Sequence, residues 1–550
     1  MIISDTEQKR LLGVIAELRK ERQPFWTLWR EVADYFLPKR YVWLQSPSEA
    51  RVRKAKNPYI LDSTGTTAAR VLASGMMNGI TSPSRPWFRL RVPGFDQEGD
   101  AISIWADECV RRMLFIMAES NFYNAMAVLY LDLVVFGSAA CLIYEDDETV
   151  MRCYNSALGE FYLGQDHRLQ VDTFAREFKQ SVKQIVTRFG KENVSETILD
   201  KWNRGGEQHL HSYDIFHLIE PNHGDSTVPK KFKFRETYWE AGKKGLALAQ
   251  KGFNEMPGIF PRWELTANDA YGTSPAMDAL PDVIQLQQET KRKAQGLDKM
   301  INPPIVADIQ LQHRPAALMP NGITYVAGSN SIGAKPLYQV TPPLQEMTQD
   351  IQEVQLRIRE TLHNNLFQMI SQIDTVRSAT EIDARREEKL VLLGSVLERF
   401  ENEALDPAIN RIFSIMNRRG MLPEPPPEFE GESLEIQYVS ILSTAQRAVS
   451  AAPTERWLQL IGNLVQVAPA VAAVPNWEEL VRNYGAAIGV QARDMRTREE
   501  VQAEREAAAE QEAMEQGMAM AGQAAEGAQL LSETEVGGGA NALQQLLSAA

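Results

Sequence analysis

The stretch Leu344–Gly420 reads LQEMTQDIQEVQLRIRETLHNNLFQMISQIDTVRSATEIDARREEKLVLLGSVLERFENEALDPAINRIFSIMNRRG. In its first third, apolar side chains recur at Met347, Ile351, Val354, Ile358, Leu362, Leu366 and Ile370. Steps of three or four mark one face of a helix. Gln349, Asp350, Gln352, Glu353, Arg357, Arg359 and Glu360 occupy the other face. The spacing predicts a helix over Gln345–Ile370, about 26 residues and so roughly 39 Å long. That exceeds what a small domain needs and suits a strut packed beside copies of itself. After the polar break Ser371–Ala379, Ser378-Ala379-Thr380-Glu381 matches a capping box. A second helix follows with Ile382, Leu390, Leu393, Leu397, Phe400 and Leu405, an expected kink at Pro407, and a stop at Gly420.

Working outward on the N-terminal side, helical periodicity covers Asp278–Met300, with Val283, Ile284, Leu286, Ala294, Leu297 and Met300. Asn302-Pro303-Pro304 halts that helix, and Thr341-Pro342-Pro343 opens the next. The strand- and turn-like sequence between them includes Ile305–Ala307 and Ile323–Val326. The pattern is a helical hairpin with a small α/β insert. Further upstream, Cys141–Glu264 reads mostly as β structure. A hairpin is expected at Cys141–Glu145 and Val150–Tyr154 around the acidic turn Asp146–Thr149. Strands are expected at Phe161–Leu163, Thr173–Phe178, His211–Glu220 and Phe232–Trp239, with short helices at Val182–Phe189 and Ser195–Trp202.

The N-terminus opens with a helix expected from about Thr6 to Leu37, stopped by Pro38. A second runs from an N-cap at Asp62 to Ile80, and Trp87–Val92 alternates as a strand. Beyond Gly420, Pro423–Pro427 reads as a stiff linker, Leu434–Leu442 as a strand, and Ala445–Ala468 and Trp477–Gly489 as helices. The Ala/Glu/Gln/Met-rich sequence after Arg498 reads as a solvated helix fraying into a tail, with a short helix at Asn541–Ser548. The composition is α+β and multidomain.

Composition narrows the function. With 550 residues, 44% hydrophobic and 24% charged, the chain is an ordinary globular sequence with room for several domains. A net charge of −14 disfavours a tight nucleic-acid grip, which needs clustered cations. The charge is uneven: a basic run spans Arg51–Lys56, whereas Arg505 is the one cation among the last fifty residues. Cys109, Cys141 and Cys153 have no C-x-x-C spacing and read as buried thiols. Met1–Asp5 lacks the pattern of a signal peptide. Ala125–Tyr144 is almost wholly apolar, but Asp132 and Gly137-Ser138 divide it into a buried helix and a strand.

Catalytic signatures are missing from the sequence. No Gly-Lys-Ser/Thr phosphate cradle and no H-E-x-x-H occur. His209 and His211 would share a strand face, a weak metal pattern. Glu145–Glu148 offers carboxylates, but at a hairpin tip rather than in a cleft. Tyr271-Gly272-Thr273-Ser274-Pro275 lacks the second glycine of a nucleophile elbow. The reading is non-enzymatic, with no catalytic residue, metal or cofactor. The alternatives are a self-assembling scaffold that shares only the long amphipathic helices, or a divergent metal-dependent nuclease using the Glu145–Glu148 carboxylates.

Several short motifs occur in order along residues 5 to 490. They are the helix with Trp29 and Tyr35 ending at Pro38, Leu72–Met76, Ser82–Phe88, Asp132–Gly137, Tyr271–Pro275 and Pro303-Pro304. Ala379–Ile382, Gly420 with Pro423, Val439-Ser440 and Ala445-Gln446 complete the series. In these motifs the sequence resembles the portal, or head-to-tail connector, proteins of short-tailed, podovirus-type bacteriophages. The resemblance implies a portal fold with wing, two-helix stem, small α/β clip and α-helical crown. Mapped onto this chain, residues 1–277 hold the N-terminal helices and wing, 278–301 the first stem helix, 302–343 the clip and 344–370 the second stem helix. A channel loop would be 371–379, a long kinked helix and wing return strand 380–442, the crown 443–497 and a tail 498–550.

The resemblance further implies a homododecameric ring at one capsid vertex, through which double-stranded DNA is packaged and ejected. Its implied partners are the major capsid protein, scaffolding protein, terminase large subunit, tail adaptor and tail proteins, with no membrane. The implied location is the virion, assembled in the host bacterial cytoplasm. Candidate DNA-facing residues are Gln372, Asp374 and Arg377; candidate stem-interface residues are Ile351, Val354, Ile358 and Leu362. The acidity suits a conduit, since a ring of negative subunits repels the phosphate backbone.

Overall fold

A helix over Asp5–Arg22 (α1) opens the computed structural model, which describes residues 3–39, 60–91, 101–205, 208–209, 211–224, 228–243, 245–301, 305–307, 334–336, 343–365, 394–427, 434–439 and scattered positions between 457 and 526, most of them helical. Ser4 caps α1 by accepting a hydrogen bond from the Glu7 amide, and Asp5 and Glu7 sit where the helix dipole favours anions. The single long N-terminal helix expected to Leu37 is in fact broken. Pro24 lacks an N–H, so a 3-10 turn at Gln23–Phe25 separates α1 from a second helix, Trp26–Tyr35 (α2). Helix α3 (Thr64–Ile80) begins at Ser63 rather than Asp62; Asp62 Oδ1 instead accepts from the Thr64 amide at 2.7 Å.

The chain divides into two compact units. The larger comprises 1–88, 111–422 and 438–450 and has mixed α+β structure. In it the apolar helix Phe122–Phe136 ends at Gly137, whose left-handed φ of 73° closes the helix. Strand Ala140–Asp146 then pairs on either side with Val150–Ser156 and Gly258–Ile259 in a three-stranded antiparallel sheet.

A five-stranded antiparallel meander follows: Phe161–Gln165, Val171–Ser181, Ser212–Pro221, Phe234–Glu240 and Ala247–Phe253. Alternation sends its side chains to two faces. Tyr162, Ala175, Leu218 and Trp239 pack under Leu11, Ile15 and Leu18 of α1. On the other face Ile215, Tyr238 and Leu248 meet Val182, Ile185, Val186 and Ile198 from the helices Val182–Phe189 and Glu196–Asn203. The first of these helices has the expected bounds and carries a capping box between Ser181 and Gln184. The fifth strand, with its charged and glycine positions, was not legible as a strand.

Helices Leu280–Ile301 and Leu344–Thr361 form the expected hairpin, and Ile305–Ala307 pairs antiparallel with Ala334–Pro336 in the insert. The second helix is interrupted after Thr361, where His363 takes φ 52°, a left-handed conformation, and helical backbone returns at residues 364–365. Leu366 and Ile370 lie outside the described residues. The expected kink at Pro407 is a π turn over Glu401–Leu405, between the helices Gly394–Phe400 and Asp406–Arg418. The amide of Asp406 reaches back five residues to the Glu401 carbonyl, just before the residue that has no amide to give.

In the smaller unit, 89–110, 423–437 and 451–550, Trp105 Nε1 donates to the Pro423 carbonyl at 3.0 Å. The strand at Phe88–Arg91 pairs with that at Glu435–Tyr438, joining two strands that the sequence placed nearly 350 residues apart. Described positions between 501 and 526 are helical and almost all exposed. No helix among the described residues is long and apolar enough to cross a membrane. The basic run Arg51–Lys56, the loop with Gln372, Asp374 and Arg377, the capping box at Ser378, most of the clip and crown, and Asn541–Ser548 lie outside the described residues.

Candidate functional site: the helical hairpin

The hairpin helices run antiparallel, because Arg357 Nη2 lies 3.3 Å from Asp282 and from Gln285 while Lys293 Nζ donates to Thr348 Oγ1 at 2.8 Å. Their root is fixed to the body. Gln287 bridges the two: its Oε1 accepts from the amides of Leu61 and Asp62 at 2.7 and 2.9 Å, and its Nε2 donates to the Asp62 carbonyl at 2.9 Å. Gln355 Nε2 donates to Asp62 Oδ2 at 2.7 Å. Gly65 lets helix Thr64–Ile80 approach closely, since a Cβ there would sit 3.0 Å from Val283.

The apolar stripe of the second helix is covered by the subunit itself. Val354, Ile358 and Leu362 are fully buried and Ile351 nearly so, against the first hairpin helix and Thr64–Ile80. Their burial therefore needs no second copy. The uncovered apolar surface lies on the first helix. Val283 and Leu286 are fully buried, but the same side continues to Leu297, Met300 and Ile301, which are 41%, 43% and 65% exposed. Leu356, 50% exposed, faces away on the second helix. The outer half of the first helix also carries Lys291, Arg292 and Lys293, whereas the second exposes Glu346, Asp350 and Glu353.

Two motifs far apart in sequence meet at a backbone junction in the body. Gly137 and Gly272 approach so closely that a Cβ on Gly137 would stand 2.3 Å from the Gly272 carbonyl oxygen. Ser274 Oγ donates to the Val135 carbonyl and the Gly272 amide to Ser138 Oγ. Tyr271 packs edge-on to Trp29 at 5.1 Å and its hydroxyl accepts from the Leu163 amide. The stretch Tyr271–Pro275 is thus a structural joint.

The acidic hairpin tip is matched by arginines. Arg418 holds Glu145 at 2.7 Å, Arg419 holds Asp147 at 3.2 Å, and Arg152 lies 3.6 Å from Asp146 and 3.9 Å from Glu148. The Thr149 amide on Asp146 pulls that carboxyl below its usual range. His209 lies in a turn and His211 just ahead of its strand, so they do not share a strand face. Among the described residues no cluster of His, Cys, Asp and Glu could hold a metal ion.

Among the described residues the fully buried histidine is His217, which no motif or spacing singles out. Its ring stacks on Tyr238 at 4.0 Å, accepts at Nδ1 from Arg176 Nε at 3.1 Å, and donates from Nε2 to Glu236 at 2.8 Å. Burial above all, with Arg176 and Arg188 nearby, pushes its pKa down to about 4 against the opposing pull of Glu236. Tyr144, from the three-stranded sheet, also donates to Glu236, so this network ties the two sheets together.

Comparison with known proteins identifies the family. The family model for the bacteriophage head to tail connecting protein matches residues 8–495. The portal protein of Salmonella phage epsilon15 is 37% identical over 541 residues, 97% of each chain. The probable portal protein of Bordetella phage BPP-1 is 36% identical over 495 residues, 88% of each chain. The chain belongs to the head-to-tail connector, or portal, proteins of tailed bacteriophages.

Proposed function

We propose that this protein forms a closed ring, a dodecamer by family analogy, that serves as the channel for genome packaging and ejection. The hairpin is its stem, the insert between the two helices is the clip that docks the terminase and then the tail adaptor, and the segment 371–379 with Gln372, Asp374 and Arg377 is the channel loop. Major capsid and scaffolding proteins meet the body, and the role is structural rather than catalytic. The observation that carries this reading is the apolar stripe that leaves the subunit uncovered at Leu297, Met300 and Ile301. A neighbouring stem would cover it, and the basic first helix of one copy suits the acidic second helix of the next. Subunits of net charge −14 give the channel a field that keeps DNA sliding. Deleting residues 308–333 tests the docking role: rings should still form while terminase binding is lost. Unchanged terminase binding would place docking elsewhere.

A further inference from the structure

A cleft of about 610 Å³ opens over one face of the five-stranded sheet. Its floor holds Glu236 and Tyr238 together with Lys251 and Ala249, which stand directly opposite them on the next strand and so share that face. Helix Val182–Phe189 supplies one wall, with Arg188 and Phe189, and the three-stranded sheet another, with Tyr144 and Tyr154. A ledge of aromatic side chains joins the two walls. Arg188 donates to the Tyr238 hydroxyl at 2.9 Å, and that hydroxyl lies 3.3 Å from the hydroxyl of Tyr144. The Tyr144 ring then meets Tyr154 edge-on at 6.0 Å. Tyr154 is 44% exposed, so the ledge ends in an open ring.

The carboxylates of the lining are already matched. Glu145 pairs with Arg418 at 2.7 Å, and Glu236 accepts from His217, Tyr144 and Tyr238. Two exposed cations are not matched in this way. Among the described residues Lys251 makes no hydrogen bond or ion pair, and Arg188 makes none besides that to Tyr238, which leaves most of its N–H donors unused. The cleft is the size of a small-molecule site. An open ring beside unpaired cations suits a planar ring that carries an anion: the ring stacks on Tyr154, and the anion takes charge-assisted hydrogen bonds from Arg188 and Lys251. Exposed Asn254, also in the lining, has an amide that can both donate and accept at the edge of a nitrogenous base.

We propose that this cleft binds a mononucleotide, with its base on Tyr154 and its phosphate between Arg188 and Lys251. The site is complete within one subunit, so binding does not require a ring. The test is isothermal titration calorimetry on the full-length protein with AMP, and with adenosine and inorganic phosphate as its separate halves. AMP should bind at one per subunit, and each half at least about tenfold more weakly. Arg188→Gln and Lys251→Gln should each weaken AMP by about tenfold and remove its advantage over adenosine, whereas Tyr154→Ala should weaken AMP through the lost ring contact. All three positions are exposed, so a parental thermal midpoint in each variant shows that the fold is intact. Absence of AMP binding at millimolar concentration, adenosine binding as tightly as AMP, or indifference of AMP binding to all three variants would overturn the proposal. Phosphate binding as tightly as AMP would also overturn it, as the mark of a small-anion pocket.

Discussion

Replacing Leu297 and Ile301 together by Asp separates assembly from folding. In the isolated subunit Ile301 is 65% exposed and Leu297 41%. Complete burial of either side chain contributes about 1.5–3 kcal/mol. The exposed fractions leave about 1–2 kcal/mol at Ile301 and about 0.6–1.2 kcal/mol at Leu297 for a neighbour to gain. The double variant thus forfeits about 2–3 kcal/mol per interface before the cost of desolvating two carboxylates, or at least about 30-fold in association per contact. Its subunit stability should change by only about 0.5 kcal/mol, since the sites are exposed. Ile358→Asp should behave in the opposite way. That side chain is fully buried within the subunit, so the variant loses its apolar burial and also buries an unpaired charge, a combined cost of about 5 kcal/mol or more. Native mass spectrometry and far-UV thermal melts on the same samples read both quantities. Normal oligomers from the double variant, or a parental melting temperature for Ile358→Asp, would refute the reasoning.

Gly137→Ala should lose about 2–5 kcal/mol, from left-handed strain and the clash with Gly272, read as a lower thermal midpoint and soluble yield. Glu403→Ala removes the bidentate partner of Arg262, which is 1% exposed and donates to Glu403 at 2.7 and 3.2 Å. Because Glu403 keeps 19% exposure, the loss should sit near the lower end of about 3–5 kcal/mol, and adding Arg262→Met should recover part of it in denaturant titrations. His217 binds its proton near pH 4 when folded and 6.5 when free, so the unfolded chain holds more protons between these values. Its contribution is complete above pH 6.5 and falls by about 3 kcal/mol towards pH 4; His217→Gln should flatten that limb of the stability–pH curve.

The hairpin was legible because its stripe repeats at helical spacing and proline pairs mark its ends. Gly137 was legible as a break because only glycine takes that φ at no steric cost. What escaped depends on partners distant in sequence or on one residue's backbone. Pro24 breaks one helix and His363 interrupts another, each inside a stretch whose apolar periodicity runs on unbroken. The sequence also could not tell that the stripe at Ile351, Val354, Ile358 and Leu362 would be covered from within, because Thr64–Ile80 lies almost three hundred residues away. Arg262 with Glu403, and His217 with Glu236, are set by helix placement and strand register, which no local spacing records.

The account stands on assembly into a ring with an axial channel, and electron microscopy of the purified full-length protein tests it most directly. Closed rings of uniform subunit number, with the hairpins packed side by side around an opening that admits a DNA duplex, are the predicted result; filaments, monomers or closed particles without an axial opening would contradict it.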